Sequence, residues 1–234
     1  MLVAGCSKSP WKGPKQVVFR TPDGLRLMGT LWLPRQGPSP AVLMVANPEQ
    51  DRKVFRPLAE QLAVRGIAAL ALDLRIQGES LRANQLADPL SPEHLKHLLD
   101  DVRYVFEEMR RARYSDPARL GLVACADNSE VTLRALLGKE ALRAVALLSP
   151  VLSDSTYGHL VNTRLPVFAV SSYDDPGGAP LSRRIGEESR SPDTRFKIYY
   201  AVGRGSDMLW SPEGSDIVRR LVTWFAQVLE VPAE

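Results

Sequence analysis

Leu120–Ser129, with the sequence LGLVACADNS, is the stretch that decides the fold of this chain. Its first half is an apolar run, which is typical of a parallel strand covered on both faces. Small residues and Asn128, a residue type that tolerates a left-handed backbone, then surround a tight turn at Ala126. Val131 and Ala135 follow at helical spacing. The stretch therefore predicts a buried strand, a sharp turn and a helix.

The composition is that of a globular domain. The chain has 234 residues, of which 44% are hydrophobic and 24% charged, and its formal net charge is +3. A chain of this length can bury a sizeable core as one α/β domain. No apolar stretch reaches the ~18–20 residues of a membrane span, and no basic run resembles a phosphate-binding patch. We therefore expect no membrane-spanning segment, no nucleic-acid partner and no cofactor.

Further patterns predict the elements around this stretch. Alternating residues on both sides of the Pro-Asp-Gly turn at 22–24 predict an opening hairpin. Ser91, followed by Pro92, predicts the start of a helix whose apolar stripe reaches Met109. The remaining predictions are buried strands at 41–45, 66–75, 141–150, 165–170 and 196–202, a last helix at 218–229, and loops at 81–92 and 151–164.

Two motifs in this order resemble those of the α/β-hydrolase superfamily, in particular dienelactone hydrolase and small esterases. A strand, a turn flanked by small residues and a helix are the setting of the G-x-S-x-G nucleophile elbow, which falls here at residues 124–128. The family's pattern Asp-x-Arg-Gly-x-Gly-x-Ser is matched at Asp73, Arg75, Gly78 and Ser80.

The resemblance covers residues 16–231 and assigns residues 1–15 to an N-terminal tether. It implies a doubly wound, mostly parallel eight-stranded sheet with helices on both faces. Only a short loop stands where the family usually inserts a lid, so the lid is minimal or absent. The implied ligand cleft lies at the carboxyl ends of the strands and is lined by Asn47, Gln50, Asp127, Asn128, Asp175 and Arg204.

The same resemblance implies that the catalytic triad is degenerate. Ala126 takes the position of the nucleophile, Asp175 that of the triad acid and Arg204 that of the histidine. Alanine has no oxygen to attack with, and arginine cannot serve as a general base near pH 7. We expect an ion pair between Arg204 and Asp175 where the His–Asp pair would be.

The two oxyanion positions are also altered on this pattern. Pro48 takes the position of the first backbone donor, and proline has no N–H. Asp127 takes the position of the second donor, where its carboxylate would place negative charge beside a developing anion. Loss of a single donor typically lowers the rate by ~10²–10³.

These positions favour a non-catalytic protein that acts in ligand or protein binding. Two active alternatives remain. Asp127 could be a displaced nucleophile, since haloalkane dehalogenases and epoxide hydrolases of this superfamily use aspartate there. Ser129 could be the nucleophile of an ordinary esterase, although Asp127 and Val131, two residues before and after it, are not small.

The N-terminus carries a second signal. Leu-Val-Ala-Gly-Cys at residues 2–6 resembles a bacterial lipobox, in which Cys6 would become lipidated. Only five residues precede Cys6, fewer than the n-region and h-region of a signal peptide need. We expect a membrane-anchored lipoprotein that faces the periplasm and touches the membrane only through Cys6; the alternative is a cytoplasmic protein. Cys125, the other cysteine, is expected to be a small buried hydrophobe.

No metal site is expected. His94 and His97 have a spacing, i and i+3, that can hold a metal. No further ligand pattern completes such a site, so both are expected to be solvated helix residues. His159 lies on the wrong segment to be the family's catalytic histidine.

Overall fold

The computed structural model describes residues 11–232, and strands and helices alternate along most of them. The strands are β1 (Trp11–Arg20), β2 (Arg26–Pro34), β3 (Ser39–Val45), β4 (Ala68–Leu72), β5 (Ser115–Cys125), β6 (Leu142–Leu148), β7 (Val167–Ser172) and β8 (Arg195–Tyr199). The α-helices are α1 (Arg56–Val64), α2 (Gly78–Asn84), α3 (Pro92–Lys96), α4 (Leu98–Arg111), α5 (Asn128–Leu136), α6 (Asp154–Asn162), α7 (Gly178–Glu188) and α8 (Gly214–Val228).

The strands form one sheet in the order β1-β2-β4-β3-β5-β6-β7-β8. β1 and β2 are an antiparallel hairpin, and β2 pairs antiparallel with β4. The remaining neighbours are parallel, with β5 between β3 and β6 in the middle of the sheet. The predicted doubly wound, mostly parallel eight-stranded sheet is confirmed, and the predicted elbow segment joins its central strand to α5.

Helices cover both faces of the sheet, as the continuous apolar runs predicted. On one face, Phe55, Leu221 and Phe225 pack against strand residues such as Val123. On the other face, α4, α5 and α6 pack their apolar stripes on a second set of strand residues. Because every central strand is buried on both sides, polar groups can reach solvent only where strands end.

Several boundaries differ from the predicted ones. β1 begins at Trp11, so residues 11–15 pair with β2 although the composition assigned them to a tether. The helix predicted from Ser91 is divided at His97, because α3 buries none of its residues whereas α4 carries the apolar stripe. Helices α2 and α6 replace predicted loops. α2 buries only Ser80 and so has no apolar stripe, and the apolar residues of α6 are confined to 157–161.

The predicted lipidation site at Cys6 and the lipobox-like sequence around it lie outside the described residues 11–232. Within that range, none of the helices is long and apolar enough to cross a membrane.

Candidate functional site

The turn after β5 has the backbone of a nucleophile elbow. Ala126 lies at its apex with φ of +48°, a left-handed conformation that costs a non-glycine residue roughly 1–2 kcal/mol. Its N–H donates to the carbonyl of Leu148 at 2.9 Å, and its carbonyl accepts from the N–H of Ser129 at 3.0 Å. The strained turn is therefore held in place, yet its apex carries only a buried methyl group.

The connection after β3 is fastened to the elbow and to the β4 connection. The side-chain amide of Asn128 donates to the carbonyl of Ala46 at 2.7 Å. The amide of Gln77 donates to the carbonyl of Asn47 at 2.9 Å. Pro48 follows, so the residue after Asn47 offers no backbone N–H in this loop.

The connection after β8 is tied to the same loop. The Oδ1 of Asn47 accepts from the N–H of Ser206 at 3.0 Å and from the Ser206 hydroxyl. A Cβ on Gly205 would lie only 2.9 Å from that oxygen, so the close approach requires glycine. The amide of Gln50 also donates to Asp207 at 2.7 Å. Three hydrogen bonds that involve side chains thus join the connection after β3 to the connection after β8.

Arg204 does not pair with Asp175, so that prediction is wrong. Its Nη2 lies 3.2 Å from Oδ2 of Asp127, in an ion pair whose side chains are about half exposed. The Asp175 carboxylate turns instead toward the start of α7, where Oδ1 accepts from the N–H of Gly178 at 2.9 Å. A carboxylate is favourable at a helix N-terminus because the exposed N–H groups there carry partial positive charge.

The six residues predicted to line one cleft do not line one cavity. Asn47 and Asn128 are buried, and their amides are used in bonds between loops. Asp175 and Arg204 contribute to a cavity of about 450 Å³, whose other lining residues are Val151, Asp174, Pro176, Gly177, Gly178 and Gly203. Asp127 forms the exposed rim beside Arg204.

Neither candidate nucleophile, Ser129 or Asp127, lies at the apex of the elbow, and the neighbouring Cys125 thiol is buried. Burial, followed by the charge of Asp207, raises the pKa of the Cys125 thiol well above its ordinary value, so this thiol stays protonated. Ser129 is fully buried within α5, and its hydroxyl has no hydrogen-bond partner. Asp127 has a helical φ of −63°, so it stands beside the apex of the elbow and not on it.

Histidines lie elsewhere in the fold. His94 belongs to α3, His97 follows it, and His159 is an exposed residue of α6. The segment 200–213, between β8 and α8, contains no histidine. In the part of the chain that the structure describes, no group of three His, Cys, Asp or Glu side chains could hold a metal ion.

The motif matched after β4 forms a buried ionic network. Asp73 accepts from the backbone N–H of Arg52 at 2.7 Å and from that of Glu79 at 2.9 Å. Its carboxylate also pairs with the Arg52 guanidinium, which is fully buried. The Ser80 hydroxyl donates to the Asp73 carbonyl at 2.7 Å. Gly78 has φ of +48°, and a Cβ there would clash with the Asp73 carboxylate.

Sequence reasoning missed Arg52 in this network. Burial alone lowers the pKa of the guanidinium, but bonds to Glu79 and Asp73 outweigh it and the pKa is raised. Hydrogen bonds from Arg52 and Lys53 lower the pKa of Glu79 to about 2. Arg52 sits in a polar loop, where exposure is the usual expectation. Asp73 could have indicated a buried cation, because a carboxylate at the end of a buried strand needs a cationic partner.

Arg75 anchors a second part of the network. Its guanidinium makes a two-point bond to Asp101, at 2.7 and 2.6 Å, and pairs with Asp23 at 2.8 Å. The contacts reach from β4 to α4 and to the β1–β2 turn. The residues that match the motif, Asp73, Arg75 and Ser80, therefore stabilise the fold and do not contact a reacting group.

Several solved structures that superpose on this chain are named as hydrolases. No family model and no curated protein matches the sequence. A dienelactone hydrolase from Anabaena variabilis superposes with a TM-score of 0.73 at 17% identity, over 92% of this chain and 98% of that one. An esterase from Pyrococcus furiosus superposes with a TM-score of 0.69 at 14% identity, over 92% and 91%. A post-proline cleaving enzyme from Rickettsia typhi gives 0.67 at 18% identity, over 93% of this chain and 38% of its own.

These likenesses define the class. The chain has the α/β-hydrolase fold, and its structural neighbours are dienelactone hydrolase and esterase-like proteins. Identities below 20% speak to the fold alone, since one fold supports many functions.

Proposed function

We propose that this protein is a non-catalytic α/β-hydrolase-fold protein that binds a ligand or a protein partner. The observation that carries the proposal is the elbow: its apex has the strained φ of +48° and is occupied by an alanine. No bond-forming group projects from the point where the fold presents its nucleophile.

The surrounding groups support the same conclusion. Removing a nucleophile or its base alone typically lowers kcat by ~10⁴–10⁶ in a serine hydrolase. What remains in such variants comes from oxyanion contacts and substrate binding. Pro48 supplies no N–H here, and polar groups of the neighbouring loops are already used in the hydrogen bonds between Asn47 and Ser206 and between Gln50 and Asp207.

A binding role is supported by the rim of the same edge. The rings of Tyr173 and Tyr200 lie 5.0 Å apart and are both largely exposed. Each is close in sequence to residues of the 450 Å³ cavity, Asp174 and Gly203. Exposed tyrosines beside charged groups are typical of protein contact surfaces, because the ring gives contact area at small entropic cost.

The anchor belongs to this proposal as well. Cys6 would carry the lipid and hold the domain at a bacterial membrane facing the periplasm, a short distance before β1 begins at Trp11. The lipobox-like sequence at residues 2–6 supports it. Mass measurement of the N-terminal peptide from membranes tests it: acyl chains on Cys6, absent from Cys6→Ser, are expected, and an unmodified Cys6 would remove the anchor.

An active hydrolase is the second candidate, favoured by the hydrolase identity of the structural neighbours. A fluorophosphonate probe distinguishes the two, because it reacts covalently with activated serines. We expect no labelling of the native protein. Labelling that disappears in Ser129→Ala but persists in Ser206→Ala would make Ser129 a working nucleophile and overturn the proposal.

A further inference from the structure

The two edges of the sheet carry opposite charge. Each of the connections leading into β3–β8 contains one basic residue, and together they contain only two acidic residues, Glu140 and Asp193. The basic residues of this amino edge are Arg35, Arg65, Arg113, Lys139, Arg164 and Arg190. In the connections at the carboxyl edge the balance is reversed, with Asp23, Glu49, Asp51, Asp73, Asp88, Asp127, Asp174, Asp175, Asp207 and Glu213 against Arg52, Lys53, Arg75 and Arg204.

Helix dipoles explain part of this pattern but not all of it. Basic residues after α1, α4, α5, α6 and α7 stabilise the partial negative charge at those helix ends. Arg35 follows a strand, Arg143 is the second residue of β6, and Arg195 is the first residue of β8. These three are exposed and stand at no helix end, so their charge does nothing for a helix.

Several of these charges have no carboxylate partner. Arg113, Arg143, Arg164 and Arg190 are exposed and form no ion pair with any residue in the described range 11–232. Arg143 and Arg164 line a common cavity of about 690 Å³ together with Lys139, so they form one continuous surface. Glu140, Asp193 and Glu230 line the same cavity and balance these three charges in number, so the excess positive charge of the edge comes from its other basic residues.

The chain enters the fold at this same edge. Trp11 pairs with Pro34, the last residue of β2, which runs antiparallel to β4. Trp11 therefore lies at the amino edge, together with Arg35. Four residues lie between Cys6 and Trp11, and the five residue steps from one to the other span at most about 18 Å. A lipid on Cys6 would keep the amino edge within about two Debye lengths of the membrane surface.

We infer that the amino edge, defined here by Arg35, Arg113, Lys139, Arg143, Arg164, Arg190 and Arg195, docks on an anionic lipid bilayer surface. The lipid phosphates supply the diffuse negative charge that this spread of guanidinium groups complements. The docked domain presents its carboxyl edge, with Arg204, Asp127 and the Tyr173–Tyr200 pair, away from the membrane. The inference uses the anchor of the proposed function only for orientation.

Vesicle binding tests the surface without the lipid. The full chain carrying Cys6→Ser is mixed with vesicles of phosphatidylglycerol and phosphatidylethanolamine, and separately with pure phosphatidylcholine, at 50 mM salt. We expect binding to the anionic vesicles alone. Each basic residue near an anionic surface contributes about a five-fold gain in affinity, so Arg143→Gln/Arg164→Gln is expected to weaken binding about 25-fold.

A matched double variant tests whether binding depends on the amino edge or only on the net charge of the protein. Arg20 and Arg82 are exposed residues at the carboxyl edge, and neither forms an ion pair within the described residues. Arg20→Gln/Arg82→Gln removes the same charge and is expected to change binding less than about two-fold. Four results would each overturn the inference. They are equal losses in the two double variants, binding to phosphatidylcholine as strong as to anionic vesicles, no vesicle binding at all, and tighter binding to a short RNA than to vesicles. Because Cys6 is replaced throughout, failure here leaves the lipidation measurement unaffected.

Discussion

The connections after β4 and after β5 lie on either side of β3 at the carboxyl edge of the sheet, and they differ in how they match the α/β-hydrolase pattern. After β4, the side chains match and each is engaged: Asp73, Arg75 and Ser80 all make buried bonds. After β5, the backbone matches but the side chain at the apex, Ala126, has nothing to react with. A motif match therefore identifies the fold here, and only the residue at the apex of the elbow indicates whether the protein can catalyse a reaction.

The largest expected contrast comes from the same substitution in both regions. Arg52→Met leaves the Asp73 carboxylate buried without its cation, and breaking a buried pair in this way costs about 3–5 kcal/mol of unfolding free energy. Arg204→Met removes an ion pair that is half exposed, which is worth about 0–1 kcal/mol. Urea unfolding of both variants measures the contrast. Equal losses would mean that the elbow region is as important for stability as the network.

Backbone strain gives the next contrast. Gly78→Ala places a methyl group against the Asp73 carboxylate at a positive φ, and we expect a loss of about 2–4 kcal/mol. Ala126→Gly relieves a positive φ but loosens the unfolded chain and removes a methyl, so its stability should change by less than about 1 kcal/mol. Thermal unfolding checks both. A severe loss in Ala126→Gly would show that the methyl group itself is needed.

The acid dependence of stability gives a smaller effect. The pKa of Glu79 is lowered from 4.5 to about 2 in the folded protein, so the ionised form stabilises the fold. That contribution is complete above about pH 4.5 and is lost as the pH falls toward 2. Glu79 is one-third exposed, and solvent screening reduces the contribution to about 1–2 kcal/mol. Glu79→Gln should flatten the stability profile between pH 5 and pH 2.

Asp127→Asn is the matched control for that profile. Asp127 is about half exposed in its pair with Arg204, and this variant should keep the acid dependence of the native protein. A profile that flattens equally in Asp127→Asn would assign the acid sensitivity to the elbow region instead.

The order of the elements could be predicted from the sequence because apolar runs in parallel strands are unambiguous. The run 120–125 and the helical spacing that follows it fixed the centre of the sheet. Other elements escaped prediction because their apolar pattern is weak: α2 has no apolar stripe and that of α6 is confined to 157–161. β1 was lengthened at residues 11–15 by backbone pairing with β2.

The candidate site was harder to predict because it depends on which side chains meet. The positions of Ala126 and Pro48 followed from a linear pattern. The partner of Arg204 could not be predicted in this way, because Asp127 and Asp175 are both carboxylates at the same sheet edge. Only the orientation of Asp175 toward α7 decides between them. The bonds of Asn47 and Gln50 to residues 206 and 207 span over 150 positions and leave no local signal.

The measurement that tests the central claim most directly is hydrolysis. The purified protein is assayed on short p-nitrophenyl esters and a haloalkane panel beside Asp127→Asn, with buffer as the reference. The account predicts no turnover above buffer from either protein. Turnover by the native protein that Asp127→Asn abolishes would show a working enzyme with a displaced nucleophile and would contradict the account.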